Sequence, residues 1–273
     1  MPKEINIEQL KKIQLDILLK VKEFCDEHNL QYFLYYGSLL GAVRHKGYIP
    51  WDEDIDIGMP RPDYDLFVKT FNNNYTHLEV MAPELCLNYY APYANVYDNR
   101  TILHESAISH KGIDIGVKID IFPIDGVADD FEKYTQSKKK IMRYRRILQS
   151  RYYNLPALFS VNKRFFCKLL LIRVLTFYFR MSDIQKIIAK ESKKIKYSSA
   201  AYVDQMTFVD DYGYTRLSKI IFDNPINIEF EGSLFKAPSD YDTVLKTIYG
   251  DYMQLPPEEQ RVPRHGFTAY WKD

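Results

Sequence analysis

The chain has 273 residues, with 37 Lys and Arg against 36 Asp and Glu and a hydrophobic share of 46%. Such a composition excludes a disordered chain, a collagen-like repeat and a disulfide-built miniprotein. Cys25, Cys86 and Cys167 are far apart and odd in number, so neither a disulfide framework nor a cysteine zinc site is expected, and a reducing compartment fits.

The N-terminus leads into an amphipathic segment instead of an apolar signal core. Residues 6–28 read as a helix, because Leu10, Ile13, Ile17, Val21 and Phe24 recur at three- and four-residue spacing; Asn6 caps its start and Asn29 its end. A strand at 32–35 runs into Gly37-Ser38, then a helical turn through Leu39, Leu40, Ala42 and Val43 ends near Gly47. A second strand at 55–58 precedes Pro62, which opens a helix through Leu66, Phe67 and Phe71. Short β-branched or aromatic runs at 95–97, 102–105 and 113–122 extend the sheet. Beyond Asp130 come long helices, roughly 131–152 and 162–196, with Pro156 between them. The last part is mixed: a turn at 222–225, a hairpin at 226–235, a helix at 240–249, and an irregular tail from Pro256-Pro257. Three regions follow: a core at 1–130, a helical region at 131–200, and a mixed region at 201–273 that packs back on the core.

Charge divides sharply along this chain. Residues 133–196 hold 18 Lys and Arg against only Asp183 and Glu191, while the remainder holds 19 basic and 34 acidic residues. The most apolar run, 169–179, is about half the roughly 20 residues a membrane-spanning helix needs and contains Arg173. The basic segment reads as a peripheral surface for anionic membrane, or as an ordinary solvated helical face; nucleic acid is not the expected partner.

The most informative stretch runs from Tyr36 to Ile57. An acid-rich segment is ordinarily a solvated turn, but here Asp54 and Asp56 alternate with Ile55 and Ile57. In a strand both carboxylates then share one face while the isoleucines enter the core. Two adjoining anions suit Mg²⁺, or Mn²⁺ in its place, held through carboxylates and substrate phosphates. Asp120 lies between Ile119 and Ile121 and is the expected third carboxylate, with Asp114 in a similar setting as its rival. Gly37 and Ser38 precede the acids at a spacing that brings backbone N–H groups and a hydroxyl to a phosphate.

Gly-Ser-Leu-Leu-Gly-Ala-Val-Arg-His-Lys-Gly at 37–47, followed by Ile-Pro-Trp-Asp-Glu-Asp-Ile-Asp at 49–56, resembles the signature of the LicD family in the nucleotidyltransferase-fold superfamily. The segments 120–125 and 261–271 resemble that family's later blocks, so the resemblance covers nearly the whole chain. It implies an α+β fold, a nucleotidyltransferase-like mixed sheet flanked by helices, with an additional helical region. It also implies transfer of phosphocholine from CDP-choline to a sugar hydroxyl of a cell-surface glycan precursor, such as teichoic acid or lipopolysaccharide, with CMP released. Gly37 and Ser38 would contact donor phosphate, Asp54, Asp56 and Asp120 would bind metal, and Asp120 could also act as base. Arg44 and Lys46 are candidates for the donor phosphate or leaving nucleotide, and His265 for acid–base work. Trp51 and Tyr36 lead the aromatic candidates for a choline cage, ahead of Tyr35, Tyr48, Tyr89, Tyr90, Tyr93 and Tyr97.

The expected partners are a nucleotide-diphosphate donor and a glycan acceptor, lipid-linked in one reading. The expected location is cytoplasmic, at the inner membrane face. Rival readings are transfer of another polyol or amino-alcohol phosphate, transfer of a nucleotide, and a non-catalytic basic protein that binds membrane or RNA.

Overall fold

The computed structural model describes residues 2–86, 88–105, 108, 114–154, 159, 163–207, 213–262 and 266–272. Strand β1 (Glu4–Ile5) leads into helix α1 (Ile7–Glu27), which begins with a capping box. Asn6 Oδ1 accepts the Gln9 backbone N–H at 2.9 Å, and Gln9 Oε1 accepts the Asn6 N–H at 3.1 Å. Asn29 follows the C-cap with φ 54°, the left-handed stop that asparagine tolerates. The expected stripe, Leu10 to Phe24, is buried, and the helix packs on the central sheet.

Strand β2 (Phe33–Leu34) runs into α2 (Tyr36–His45), and β3 (Asp56–Pro60) into α3 (Arg61–Thr70). Then come β4 (Leu78–Met81), β5 (Ala94–Asp98), β6 (Thr101–Glu105) and the long β7 (Lys118–Val127). The central sheet has the order β2-β3-β7-β5-β4, with β3 and β7 parallel and the other neighbours antiparallel. Strand β7 begins and ends five residues later than the expected 113–122, and residue 113 is outside the described residues. It continues through Pro123 because its pairing with β5 ends at Ile121 and a new partner is taken from Asp125 onward; the proline occupies the gap.

The helical region consists of α4 (Phe131–Tyr152), α5 (Lys163–Leu175) and α6 (Met181–Ser192). The single helix expected across 162–196 is therefore two. At the break, the Thr176 hydroxyl returns to the Ile172 carbonyl at 2.6 Å, and three successive aromatic residues follow, none of which favours helix continuation.

Strands β8 (Tyr202–Asp204) and β9 (Leu217–Ser218) join the sheet through the second half of β7. Helix α7 (Ile220–Asp223) precedes a hairpin of β10 (Ile226–Phe230) and β11 (Ser233–Ala237), then α8 (Tyr241–Tyr249). The tail is not irregular throughout. Residues Phe267–Trp271 form β12, which pairs with both β1 and β6. Only that long-range pairing makes it a strand, and no local pattern announced it. The whole is an α+β fold, as expected.

Buried ion pairs lock the layers. Arg61, at the start of α3, donates to both carboxylate oxygens of Asp125 on β7, at 2.6 and 2.9 Å. Lys138 of α4 meets Asp204 of β8 at 2.5 Å, and the Asp204 carboxylate also accepts from Tyr134 and Thr215. Removing one partner of such a pair costs about 3–5 kcal/mol, because the other charge is left buried.

Candidate active site

The site grows from the junction of β3 and β7. Parallel pairing sets Asp56 opposite Asp120, and the antiparallel β5 sets Asn95 opposite Asp120 on the other side. Three polar residues thus stand abreast on neighbouring strands. Asp54 precedes β3 in an extended segment, whereas the alternation implied that it would lie within the strand. The end of that segment is fixed: Ile55 O accepts the Asp120 N–H at 2.9 Å and Asp56 O accepts the Tyr35 N–H at 3.0 Å. The buried Gln14 of α1 braces it further, donating to Glu53 O and Lys118 O at 2.9 and 3.1 Å. Helix α1 thus serves the site as well as the core.

Asp54, Asp56 and Asp120 line one cavity of about 870 Å³, within the range for a small-molecule site. Asp52 and Glu105 also face it, as do the cations Arg44, Lys118 and Arg145. Its aromatic wall includes Tyr36, Tyr90, Tyr93, Phe122 and Tyr152. Phe122 lies 5.3 Å from Tyr36 and 4.5 Å from Tyr93, centroid to centroid, and Tyr90 lies 5.7 Å from Tyr152.

Burial raises the Asp56 carboxyl well above its ordinary range, and the neighbouring charges of Asp54, Asp120 and Asp52 push the same way, against Lys118. Burial also raises Asp120, despite the opposing pull of Lys118. Lys118 Nζ meets Asp120 Oδ1 at 2.7 Å, and the Asn95 side-chain amide donates to the same oxygen. Asn95 in turn accepts from the Tyr89 hydroxyl. Burial alone would lower the Lys118 pKa, but Asp120 and Glu105 outweigh it and hold the ammonium protonated.

The donor set suits a hard divalent ion. It offers carboxylate oxygen, and it carries repulsion that a cation would relieve. Among the described residues no three His, Cys, Asp or Glu side chains form a ready-made cage.

The other expected site residues divide. Gly37 lines the cavity, and any side chain there would bring a Cβ within 2.7 Å of Asp52 Oδ2. Ser38 is buried, and its hydroxyl accepts the Asp56 backbone N–H at 2.8 Å, so it ties α2 to the start of β3. Tyr36 is buried at the first position of α2 with a left-handed φ of 40°. Arg44 reaches the cavity and donates to Tyr252 O at 2.7 Å. Burial and the adjacent Arg44 lower the pKa of His45. Lys46 is exposed and is not among the lining residues; it closes α2 with φ 61°. Trp51 lines the cavity, with the Arg261 guanidinium 5.8 Å from its ring centroid. Tyr35, Tyr48, Tyr89 and Tyr97 are not among the lining residues, and Asp114 is exposed, away from the cavity. His265 lies outside the described residues.

Sequence reasoning assigned no role to Lys118, Asn95, Arg145, Glu105 or Gln14. Lys118 and Glu105 sit in segments that were read as strands, but a single charge in a strand carries no signal of its partner.

Residues 29–169 of the chain match a family described as "LicD/FKTN/FKRP, nucleotidyltransferase domain". The chain belongs to this LicD family. Over nearly its whole length it is similar to the lipopolysaccharide cholinephosphotransferase LicD of Haemophilus influenzae. The two are 30% identical over 273 residues, 98% of this chain and 99% of that protein. Local similarity reaches two uncharacterized rickettsial proteins. One, from Rickettsia typhi, is 42% identical over 62 residues, 22% of this chain and 20% of that protein. The other, from Rickettsia prowazekii, is 34% identical over 98 residues, 35% of this chain and 33% of that protein.

Proposed function

We propose that the protein transfers phosphocholine from CDP-choline to a sugar hydroxyl of a surface glycan, with lipopolysaccharide or teichoic acid precursors as the acceptor class. The observation that carries this reading is the meeting, in one cavity, of paired carboxylates with an aromatic wall. The full-length similarity to a cholinephosphotransferase supports it.

Asp54 and Asp56 would hold Mg²⁺ together with the donor diphosphate, with Asp120 beside them as the proton acceptor. The bound ion would neutralise the diphosphate and acidify the attacking hydroxyl. Gly37 lets the Asp52 carboxylate come close to the backbone at the cavity edge, while Arg44 and Arg145 supply cationic partners for the nucleotide part. The quaternary ammonium of choline offers no hydrogen-bond donor, so it would rest on aromatic faces. Tyr93, Phe122 and Tyr90 suit it better than Trp51 and Tyr152, whose rings already face Arg261 and Arg145.

The acceptor oxygen attacks the phosphorus bearing choline, in line with the CMP leaving group. The bond from phosphorus to the acceptor forms as the bond to the bridging diphosphate oxygen breaks. The hydroxyl proton passes to a cavity carboxylate, and Asp120, raised by burial, is a better acceptor than a solvated aspartate. Lys118 and Asn95 fix the orientation of that carboxylate.

Incubation with Mg²⁺, a glycan acceptor and a panel of CDP- and UDP-linked donors tests the proposal. CMP release from CDP-choline, coupled to acceptor modification, is the expected result. Release of phosphocholine, with CMP left on the acceptor, would indicate nucleotidyl transfer, and preference for a polyol donor would remove choline.

A further inference from the structure

Helix α5 is apolar along most of its length, yet Leu169 is its only buried residue. Leu171, Val174 and Leu175 are exposed on it, and Phe177, Tyr178 and Phe179 are exposed in the turn beyond, with Leu175 at 69% and Tyr178 at 82%. Leu171, Val174, Leu175 and Tyr178 follow three- and four-residue spacing, so they form one stripe where the helical path continues. Cations lie along the helix and at its end. Lys163, Arg164 and Lys168 lie on the first half of the helix, and Arg173 and Arg180 flank its end; all but the half-buried Arg173 are exposed. No acid occurs between residues 163 and 182.

We propose that the end of α5 and the turn after it seat on an anionic lipid surface. The leucines and aromatic residues enter the boundary between headgroups and acyl chains, and the collar of cations meets lipid phosphates. Thirteen residues are too few to span a bilayer, which takes about 20, and no described helix is long and apolar enough to cross one. A surface-lying device is therefore the form that fits. Phenylalanine and tyrosine suit this boundary, where an apolar ring body meets hydrated headgroups. Charge decides between occupants. A second copy of this chain would set five cations against the same five, whereas an anionic bilayer supplies the opposite sign, each near-surface cation raising partitioning about fivefold.

The position bears on the cavity. Tyr152 and Tyr153, at and just beyond the end of α4, line it. The Tyr153 ring meets Phe165 of α5 at 6.3 Å, and Arg151 donates to Thr176 O in the turn. Docking at the tip would thus hold this wall of the cavity beside the bilayer. The proposal stands on exposure and charge and does not depend on which headgroup is transferred.

Flotation of the full-length protein with phosphatidylcholine vesicles, with and without phosphatidylglycerol, at about 0.15 M salt tests it. Binding to the anionic vesicles alone is expected. The double variant L175E/F177E should lose about tenfold or more of that binding, with unchanged melting temperature and unchanged donor turnover on a soluble acceptor. The exposed charge reversals R164E/K168E, which remove no packing, should give the same loss. Three results would overturn the proposal: no flotation of the parent chain, equal flotation of parent and variants, or a concentration-dependent dimer that the same substitutions abolish. Displacement of the vesicles by RNA at equal phosphate would assign the collar to nucleic acid instead.

Discussion

The junction of β3 and β7 and the helical region α4–α6 handle charge in opposite ways. At the strand junction, Asp52, Asp54, Asp56 and Asp120 are drawn into one cavity, where burial and mutual repulsion raise the Asp56 carboxyl. In the helices, like charges are separated. Lys138 goes inward to Asp204, Lys140 bridges α4 to Glu191 of α6, Arg145 turns to the cavity, and the α5 collar faces solvent. The acidic region gathers charge for use, whereas the basic region divides it among scaffold, site and surface. A near-zero total therefore says nothing about either.

The largest expected contrast is between activity and stability. Asp56→Asn should lower CMP release about a thousandfold or more. It should leave the fold intact and raise the melting temperature. The sign follows from linkage: a carboxyl raised in the folded state costs stability once the pH exceeds its ordinary value of 3.8, and the amide removes that cost. A fall in melting temperature with retained turnover would reverse the comparison. Lys138→Ala should do the opposite, costing about 3–5 kcal/mol in denaturant unfolding because Asp204 is left buried without its ammonium partner. Equal stability would mean that the inner cations are not scaffold.

Lys118→Met probes the point where the two behaviours meet. Without the ammonium, the Asp120 carboxyl rises further, so its ionised form is reached only at higher pH. The acid limb of the pH–rate profile should move upward, with a fall of about tenfold in kcat near neutrality. An unmoved limb would separate Asp120 from the proton transfer. The smallest expected effect is that of Tyr93→Leu, a rise of about tenfold or less in KM for CDP-choline. An equal rise for a donor with an uncharged polyol headgroup would exclude Tyr93 from headgroup recognition.

Several of these features were legible before the fold. The α1 stripe and both its asparagines were readable because helix spacing and caps are local. The pairing of Asp56 with Asp120 was readable because acid alternating with isoleucine fixes which face a carboxylate takes. What was hidden depended on distant partners. Lys118, Asn95 and Gln14 acquire meaning only when β5, β7 and α1 pack together, and β12 becomes a strand only between β1 and β6. The break after α5 was hidden for another reason: it lacks glycine and proline, and rests on a hydroxyl and three aromatic side chains.

The hairpin β10–β11 turns at Glu231-Gly232, both with positive φ, and there it grips the loop that carries the acids. Glu231 donates its backbone N–H to Lys46 O at 2.9 Å, while its carboxylate accepts the Tyr48 N–H at 3.0 Å. Gly47 permits this, since a Cβ there would fall 2.0 Å from the Glu231 carboxylate. Every motif residue of that loop lies within the matched segment 29–169, but the clasp that shapes it comes from far downstream. A fragment trimmed to the matched boundaries would keep the recognisable letters and lose their tether. The smallest working unit of this protein extends at least to residue 231, well outside the stretch by which its kinship is recognised.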